Sequence, residues 1–209
     1  MQSIPTPITS RRLILASRSP YRRALLERLH IAFDVDVPAI DETPLPQESP
    51  ASTALRLAEA KARAVAARSG DALVIGSDQV ATLAGRQIGK PGDHARALEQ
   101  LRVMRGRDVQ FHSALCVYDP RDDTTQCANV ITRVRFRDLP DAELDAYLRA
   151  ERPYDVAGSA KSEGLGIALL EAVDSDDPTA LIGLPLIALT GMLRQAGVPL
   201  LGAAKVDCA

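Results

Sequence analysis

Hydroxyl and guanidinium groups are concentrated where a short apolar run gives way to a helical pattern. The run at residues 13–16 is long enough for a buried strand and too short for a helix. Ser19 then suits a helix N-cap, and Pro20 suits the first helical position, where a backbone N–H needs no intrahelical partner. A helix start favours an anion because it combines free N–H groups with the positive end of the helix dipole. The segment predicts a phosphate site, and an ordinary strand-to-helix turn is the alternative.

Two lysines stand where each could meet a phosphate. Lys61 falls among apolar positions of a predicted long helix, so it either extends to the surface or projects into a cleft. Lys90 is held between Gly89 and Pro91. Glycine lets the backbone approach a ligand closely, and a fixed lysine suits phosphate.

Three acidic residues are candidates for metal binding or acid–base chemistry. Asp41 and Glu42 lie in a proline-rich loop, where they are either solvated charges or ligands of a hard divalent cation. Asp78 follows an apolar strand at residues 72–76, and α/β folds place chemistry at the carboxyl ends of such strands. A turn or cap role for Asp78 is the alternative.

Strands and helices are predicted to alternate along the chain, which indicates an α/β fold. Further predicted strands lie at residues 32–37, 80–83, 86–88, 109–118, 129–136 and 167–173. Predicted helices begin at Pro20 and cover residues 50–69, 93–104, 141–150 and 186–196, and the glycine-rich residues 157–166 are predicted to be a loop. With no linker visible, we expect one domain over residues 11–197, a flexible lead-in at 1–10 and a tail at 198–209.

Composition excludes several classes of protein. The 209 residues are 46% hydrophobic and carry a net charge of -2, which argues against a nonspecific nucleic-acid binder with a basic face. Cys116, Cys127 and Cys208 form no C-x-x-C pair, so a reducing compartment is a simpler interpretation than a disulfide framework. No apolar segment reaches membrane-spanning length, and residues 1–12 lack a signal-peptide core. These features predict a cytoplasmic protein without membrane or nucleic-acid partners.

Five segments occur in an order that resembles the Maf family of nucleotide pyrophosphatases. They are ASRSPYRR at 16–23, DET at 41–43, GSDQ at 76–79, GKP at 89–91 and GLPL at 183–186. The resemblance implies hydrolysis of a nucleoside triphosphate to the monophosphate and pyrophosphate with a divalent cation, Mg²⁺ or Mn²⁺. It also implies an elongated mixed sheet with flanking helices, in which two lobes enclose a nucleotide-binding cleft, similar to inosine-triphosphate pyrophosphatases.

Three positions resemble the subgroup of this family that acts on 7-methyl-GTP. The subgroup for dTTP and UTP carries Arg, Thr and Gln where Tyr21, Gln79 and Glu163 stand here. Methylation at N7 makes the guanine ring positively charged. Glu163 could accept the N1 and N2 protons or oppose that charge, and Tyr21 could offer its face to a cationic ring.

The resemblance also implies a role for each remaining candidate. Four residues would hold the triphosphate: Ser19, Arg22, Lys61 and Lys90. Glu42 and Asp78 would bind the metal ion, and Asp78 would orient and deprotonate the water that attacks the α-phosphorus. Whether Asp78 acts chiefly as base or as ligand stays open.

Three alternatives stay open beside this assignment. The substrate could be dTTP or UTP, or a broader set of noncanonical nucleotides. The chain could instead be a nucleotide-binding regulator of cell division and septum formation, although Glu42 and Asp78 favour the enzyme. Because family members are often dimers, we also expect a homodimer.

Overall fold

The computed structural model describes residues 11–201, which form one mixed sheet with flanking helices. The strands are β1 (Leu13–Ala16), β2 (Asp34–Asp36), β3 (Leu73–Leu83), β4 (Arg86–Ile88), β5 (Asp108–Asp119), β6 (Thr124–Phe136) and β7 (Leu170–Asp174). The helices are α1 (Pro20–Glu27), α2 (Pro50–Ala66), α3 (His94–Met104), α4 (Asp141–Glu151) and α5 (Leu186–Gln195). The predicted lead-in at 1–10 and the end of the predicted tail, with Cys208, lie outside the described residues.

The seven strands are ordered β2–β1–β3–β5–β6–β7, and β4 pairs with the far end of β3. Strand β1 is parallel to both of its neighbours, and the other pairs are antiparallel. The predicted mixed α/β class is confirmed. Between residues 11 and 201, no helix combines the length and apolarity needed to cross a membrane.

Three helices begin where the sequence predicts. Ser19, Ser49 and Asp93 each accept a hydrogen bond from a backbone N–H of the first helical turn, and Pro20 and Pro50 occupy first positions. The long helix α2 ends at Ala66, earlier than the predicted residue 69, and a turn leads from it to Gly70, whose φ is +65°. Local capping therefore sets these three starts, whereas α4 and α5 also begin at the predicted residues but follow a proline without a side-chain cap.

The prediction of a strand break after residue 76 is wrong. Strand β3 continues through Ser77, Asp78 and Gln79 to Leu83, because β5 pairs with it without interruption from Val74 onward. The polar side chains suggested a turn, but they are buried or partly buried and hydrogen-bonded to β5 and to helix α2. Asp78 consequently lies in the middle of a strand and not at its end.

Two smaller differences concern the second half of the chain. Strand β6 begins at Thr124, earlier than the predicted residue 129, because it pairs with β5 along its whole length. Strand β7 begins at Leu170 because the preceding Leu165–Leu169 form a 3-10 helix, and a second one covers Ala157–Ser159. The glycine-rich segment thus contains ordered turns.

The core is divided into two apolar halves that share the long strands. One half packs around α3 and α4, with Leu101, Phe111 and Leu148 buried in it. The other packs around α1, α2 and α5 on the two faces of β1 and the first part of β3. Between the halves, β3 and β5 carry a band of buried polar residues, namely Ser77, Asp78, His112 and Ser113. This band separates the two expected lobes.

Candidate active site

A gap in strand pairing opens the middle of β3. On one edge of β3, β1 pairs with Leu73–Gly76 and β4 pairs with Ala81–Leu83. Within the described sheet, residues 77–80 therefore have no strand beside them on that edge. Helix α1 begins four residues after β1 ends, so its N-terminus lies next to the opening. A crevice beyond the carboxyl end of a parallel strand is a common place for a ligand.

Lys61 lies between two carboxylates in this opening. Its Nζ is 2.6 Å from Asp78 Oδ1 and 2.9 Å from Glu42 Oε1. Lys61 is 6% exposed and Asp78 is 8% exposed, whereas the Glu42 side chain is 53% exposed. The alternative in which Lys61 extends to the surface is wrong, and the two predicted metal ligands lie around one ammonium group.

Gly76 explains how α2 brings Lys61 so close to the sheet. A Cβ atom at Gly76 would lie 2.0 Å from the backbone oxygen of Ala58 and 2.8 Å from the backbone nitrogen of Ala62. Only a glycine therefore lets the α2 backbone approach β3 at this level. Because side chains alternate along a strand, Gly76 and Asp78 share the face that α2 covers.

Glu48 fixes the loop that carries Glu42. Its carboxylate accepts two hydrogen bonds of 2.7 Å from the Arg56 guanidinium and a third, of 3.0 Å, from the backbone N–H of Leu45. Arg56 also donates to the carbonyl of Thr43. The hydrogen bond from Arg56 is the main cause that lowers the pKa of Glu48 to about 2. An ion pair with α2 thus holds the proline-rich loop in place.

Arg22 approaches the same opening from α1. Its Nε donates to the carbonyl of Gly183 at 2.9 Å, and Ser77 Oγ donates to the same carbonyl at 3.0 Å. Burial lowers the pKa of Arg22, against the opposing charges of Asp78 and Glu42. The guanidinium is therefore anchored at one nitrogen within reach of both carboxylates.

Three cationic side chains, those of Lys61, Lys90 and Arg22, lower the pKa of Glu42. Burial alone would raise the pKa of Glu42, but the hydrogen bond and charge of Lys61, with the charges of Lys90 and Arg22, keep it below its ordinary value. Lys90 itself is exposed. Ser19 caps α1 by accepting from the backbone N–H of Arg22. The structure thus brings the predicted triphosphate and metal residues to one opening.

Tyr21 and Glu163, two of the predicted base-recognition residues, both influence the pKa of Tyr147 of α4 through their charges. Burial is the main cause that raises the pKa of Tyr147 to about 12, and the charges of Glu151, Glu163 and Tyr21 act in the same direction. The Nζ of Lys161 lies 5.6 Å from the centroid of the Tyr21 ring. Because Tyr21 precedes Arg22 in α1, the base-recognition group and the cationic group adjoin each other.

Gln79, the third predicted base-recognition residue, has its side chain on the face of β3 opposite Asp78. Its Nε2 donates to Ser113 Oγ at 2.9 Å and to the carbonyls of Ala180 and Leu181 at 3.1 and 3.0 Å. The amide nitrogen of Gln79 thus holds the segment at residues 180–183, whose last carbonyl anchors Arg22.

Sequence reasoning missed the residues that support this site. Ser77 and Ser113 hold the segment at 180–183, and Asp177 and Thr179 hold its other side by accepting from the backbone N–H groups of Ile187 and Leu186. The motif at residues 183–186 indicated that this segment belongs to the site, but it did not indicate which residues contact the segment. The contacts of Ser77 and Ser113 span 106 and 67 residues, which is too far for spacing to reveal them.

The oxygen ligands at the opening fit a divalent cation. Glu42 and Asp78 supply hard carboxylate oxygens close to each other, and Mg²⁺ commonly takes one or two carboxylates and completes its shell with phosphate oxygens and water. Among residues 11–201 there is no group of three or more His, Cys, Asp or Glu side chains that could hold an ion by themselves. These two carboxylates could therefore supply part of a coordination shell, which suits an ion shared with a phosphate.

Comparison with known proteins decides the family. The family model described as Maf-like protein matches residues 12–196. The chain belongs to the Maf family. A relative from Burkholderia pseudomallei strain 1710b, named 7-methyl-GTP pyrophosphatase, is 74% identical over 195 residues, which cover 92% of this chain and 91% of the relative. A relative with the same name from Paraburkholderia xenovorans is 73% identical over 92% of this chain and 95% of its own length. Another, from Cupriavidus pinatubonensis, is 67% identical over 97% of this chain and 100% of its own length.

Solved structures with a similar arrangement include a HAM1 protein from Coxiella burnetii. It is 21% identical to this Maf protein, with a TM-score of 0.46 over 62% of this chain and 75% of the solved one.

Proposed function

We propose that this Maf protein hydrolyses 7-methyl-GTP to 7-methyl-GMP and pyrophosphate, and so removes a modified nucleotide. The observation that carries the proposal is the ammonium of Lys61 held between Asp78 and Glu42, beside the anchored guanidinium of Arg22. The names of relatives about 70% identical to this chain support the same substrate.

The cationic side chains would bind the triphosphate. Lys61 has three N–H donors, of which the two carboxylates use two, so one is left for a phosphate oxygen. Within the described residues, the Arg22 guanidinium donates a hydrogen bond only from Nε, to the carbonyl of Gly183. Its two Nη groups are therefore left for a bidentate contact with phosphate. Lys90 and the Ser19 end of α1 would neutralise the remaining charge.

Asp78 would orient the attacking water and accept its proton. Its Oδ1 is fixed by Lys61, so the carboxylate keeps one direction without rotating. A water bound to Asp78 would attack the α-phosphorus in line with the leaving pyrophosphate, and Lys61 and Arg22 would stabilise the charge that develops. A divalent cation bound by Glu42 and Asp78 would lower the pKa of that water and neutralise phosphate charge.

Tyr21 and Glu163 would select the base. The Glu163 carboxylate would accept the N1 and N2 protons of guanine, and the Tyr21 ring would stack on the cationic purine. Gln79 would contribute through the position of residues 180–183, which its amide nitrogen holds.

A homodimer and a cytoplasmic location stay predictions. The free thiols of Cys116 and Cys127 are consistent with a cytoplasmic location.

The test is the release of pyrophosphate from 7-methyl-GTP, GTP, dTTP and UTP by the purified protein, with and without Mg²⁺. We expect metal-dependent release that is fastest with 7-methyl-GTP. A preference for dTTP or UTP would overturn the choice of base and keep the reaction class. Tight nucleotide binding with no release from any substrate would replace the enzyme with a nucleotide-binding regulator.

A further inference from the structure

We propose that Gln100 is a positioning residue that sets the distance between the phosphate-binding Lys90 and the base-recognition residue Glu163. Its side chain lies on α3, outside the set of residues that would touch the nucleotide, and forms one hydrogen bond to each of the two segments. The proposal rests on the function proposed above, since it concerns how the two ends of one nucleotide are held at once.

The first bond fixes the Lys90 segment. Gln100 Nε2 donates to the carbonyl oxygen of Gly89 at 3.0 Å. That carbonyl belongs to the peptide unit directly before Lys90, so the bond orients the backbone from which the Lys90 side chain projects. The Lys90 side chain is exposed and has no buried packing of its own to hold it. Its position therefore depends on its backbone.

The second bond fixes the segment that leads to Glu163. Ser159 Oγ donates to Gln100 Oε1 at 2.8 Å. Ser159 is fully buried and has a φ of +53°, a conformation that a non-glycine residue keeps only when its surroundings hold it. Gln100 thus uses both ends of its amide, one toward each segment.

The turn between Ser159 and Glu163 is stiff enough to transmit this position. The backbone N–H of Lys161 donates to the Tyr147 hydroxyl at 3.0 Å, and that of Gly164 donates to the Lys161 carbonyl at 3.1 Å. The backbone N–H of Leu165 donates to Glu151 Oε1 at 2.8 Å. Because this ordered turn follows Ser159 directly along the chain, a shift of Ser159 would be passed on to Glu163.

A ligand that spans both parts of the site can show whether Gln100 sets the distance between them or only stabilises each part separately. When two parts of a site are held at the right separation, a ligand that spans both gains affinity that neither fragment shows alone. We therefore compare dissociation constants, measured by calorimetry, for the α,β-methylene analogue of 7-methyl-GTP, for tripolyphosphate and for 7-methylguanosine. The analogue resists cleavage at the bond in question, so its binding is measured independently of turnover.

Gln100→Leu removes both bonds at nearly constant volume. We expect the dissociation constant of the analogue to rise about tenfold, while those of the two fragments change by less than about twofold. Ser159→Ala removes one bond, and because the two bonds form one bridge, the double variant should bind the analogue no more weakly than Gln100→Leu alone. Gln126→Leu is the matched control, since Gln126 Nε2 also donates to a backbone carbonyl, that of Met192, in the other half of the core.

Three results would overturn the inference. They are a parallel loss of tripolyphosphate affinity, an unchanged affinity for the analogue, and an equal effect of Gln126→Leu. Failure of the proposed function has a different signature: wild-type protein would bind the analogue but release no pyrophosphate from 7-methyl-GTP, and the comparison of variants would still decide the role of Gln100.

Discussion

Lys61 and Asp78 form an ion pair of 2.6 Å between Nζ and Oδ1, and both side chains are almost completely buried. Charges are rarely buried without a partner, because desolvation of each ion is costly. On the side of the opening beside β3, the half-exposed Glu42 contacts the same ammonium. This relationship links the stability of the sheet to the chemistry of the site.

Asp78→Asn should abolish most turnover while the protein stays folded. The amide has nearly the same shape but cannot accept the proton of the attacking water, so kcat should fall by about 10² to 10⁴. Turnover of 7-methyl-GTP and the melting temperature of the variant provide the measurement. Turnover close to that of the wild type would remove Asp78 from the mechanism.

Lys61→Met should destabilise the protein as well as inactivate it. The substitution leaves the carboxylate of Asp78 buried without its partner, which costs about 3 kcal/mol of unfolding free energy. Urea denaturation followed by circular dichroism measures the loss. Lys61→Arg keeps the charge and serves as the control, and equal stability of the Met and Arg variants would show that the charge of Lys61 contributes little.

Gly76→Ala should separate α2 from the sheet. The added methyl group would overlap the backbone oxygen of Ala58, so the helix must move and carry Lys61 away from Asp78. We expect a loss of about 2 kcal/mol in unfolding free energy together with a drop in kcat. Gly191→Ala is the matched control on α5, where a Cβ atom meets nothing within 4 Å, and there alanine should stabilise the helix slightly. Unchanged unfolding free energy and kcat in Gly76→Ala would contradict the close packing of α2 on β3.

Glu48→Gln should make the loop that carries Glu42 less stable, and its effect should depend on pH. The pKa of Glu48 is lowered from an ordinary value of 4.5 to about 2, so the carboxylate stabilises the folded state fully above pH 4.5 and loses this effect as the pH falls toward 2. The wild type and the variant should therefore differ most above pH 4.5 and converge below it. Melting temperatures across that range measure the difference, with Glu27→Gln, in the exposed pair with Arg23, as the control. A difference in melting temperature that does not change with pH would contradict the stabilising role assigned to the Glu48 carboxylate.

Glu163→Gln should reduce selectivity for the base and leave the chemistry intact. Loss of the charged acceptor weakens two hydrogen bonds to guanine, so kcat/KM for 7-methyl-GTP should fall about tenfold to a hundredfold. Hydrolysis of dTTP should change little. Glu171→Gln, on an exposed position of β7, is the control. An equal loss with both substrates would assign Glu163 to catalysis or folding.

The sequence predicted what depends on local interactions. The cap at Ser19, the strand at residues 86–88 and the helix starts at Pro50 and Asp93 follow from neighbouring residues and are confirmed. The break assigned after Gly76 was wrong. The polar side chains of Ser77 and Asp78 do not mark a turn, because they form hydrogen bonds inside the protein with residues distant in sequence. The sequence also left open whether Lys61 reaches solvent, since only the packing of α2 on Gly76 decides it.

Hydrolysis in water labelled with ¹⁸O tests most directly whether the water in the proposed mechanism attacks the α-phosphorus. After a single turnover of 7-methyl-GTP, mass spectrometry locates the label in one of the two products. The proposed reaction predicts that the label enters 7-methyl-GMP and that the pyrophosphate carries none. Label in the pyrophosphate would place the attack on the β-phosphorus and contradict the mechanism.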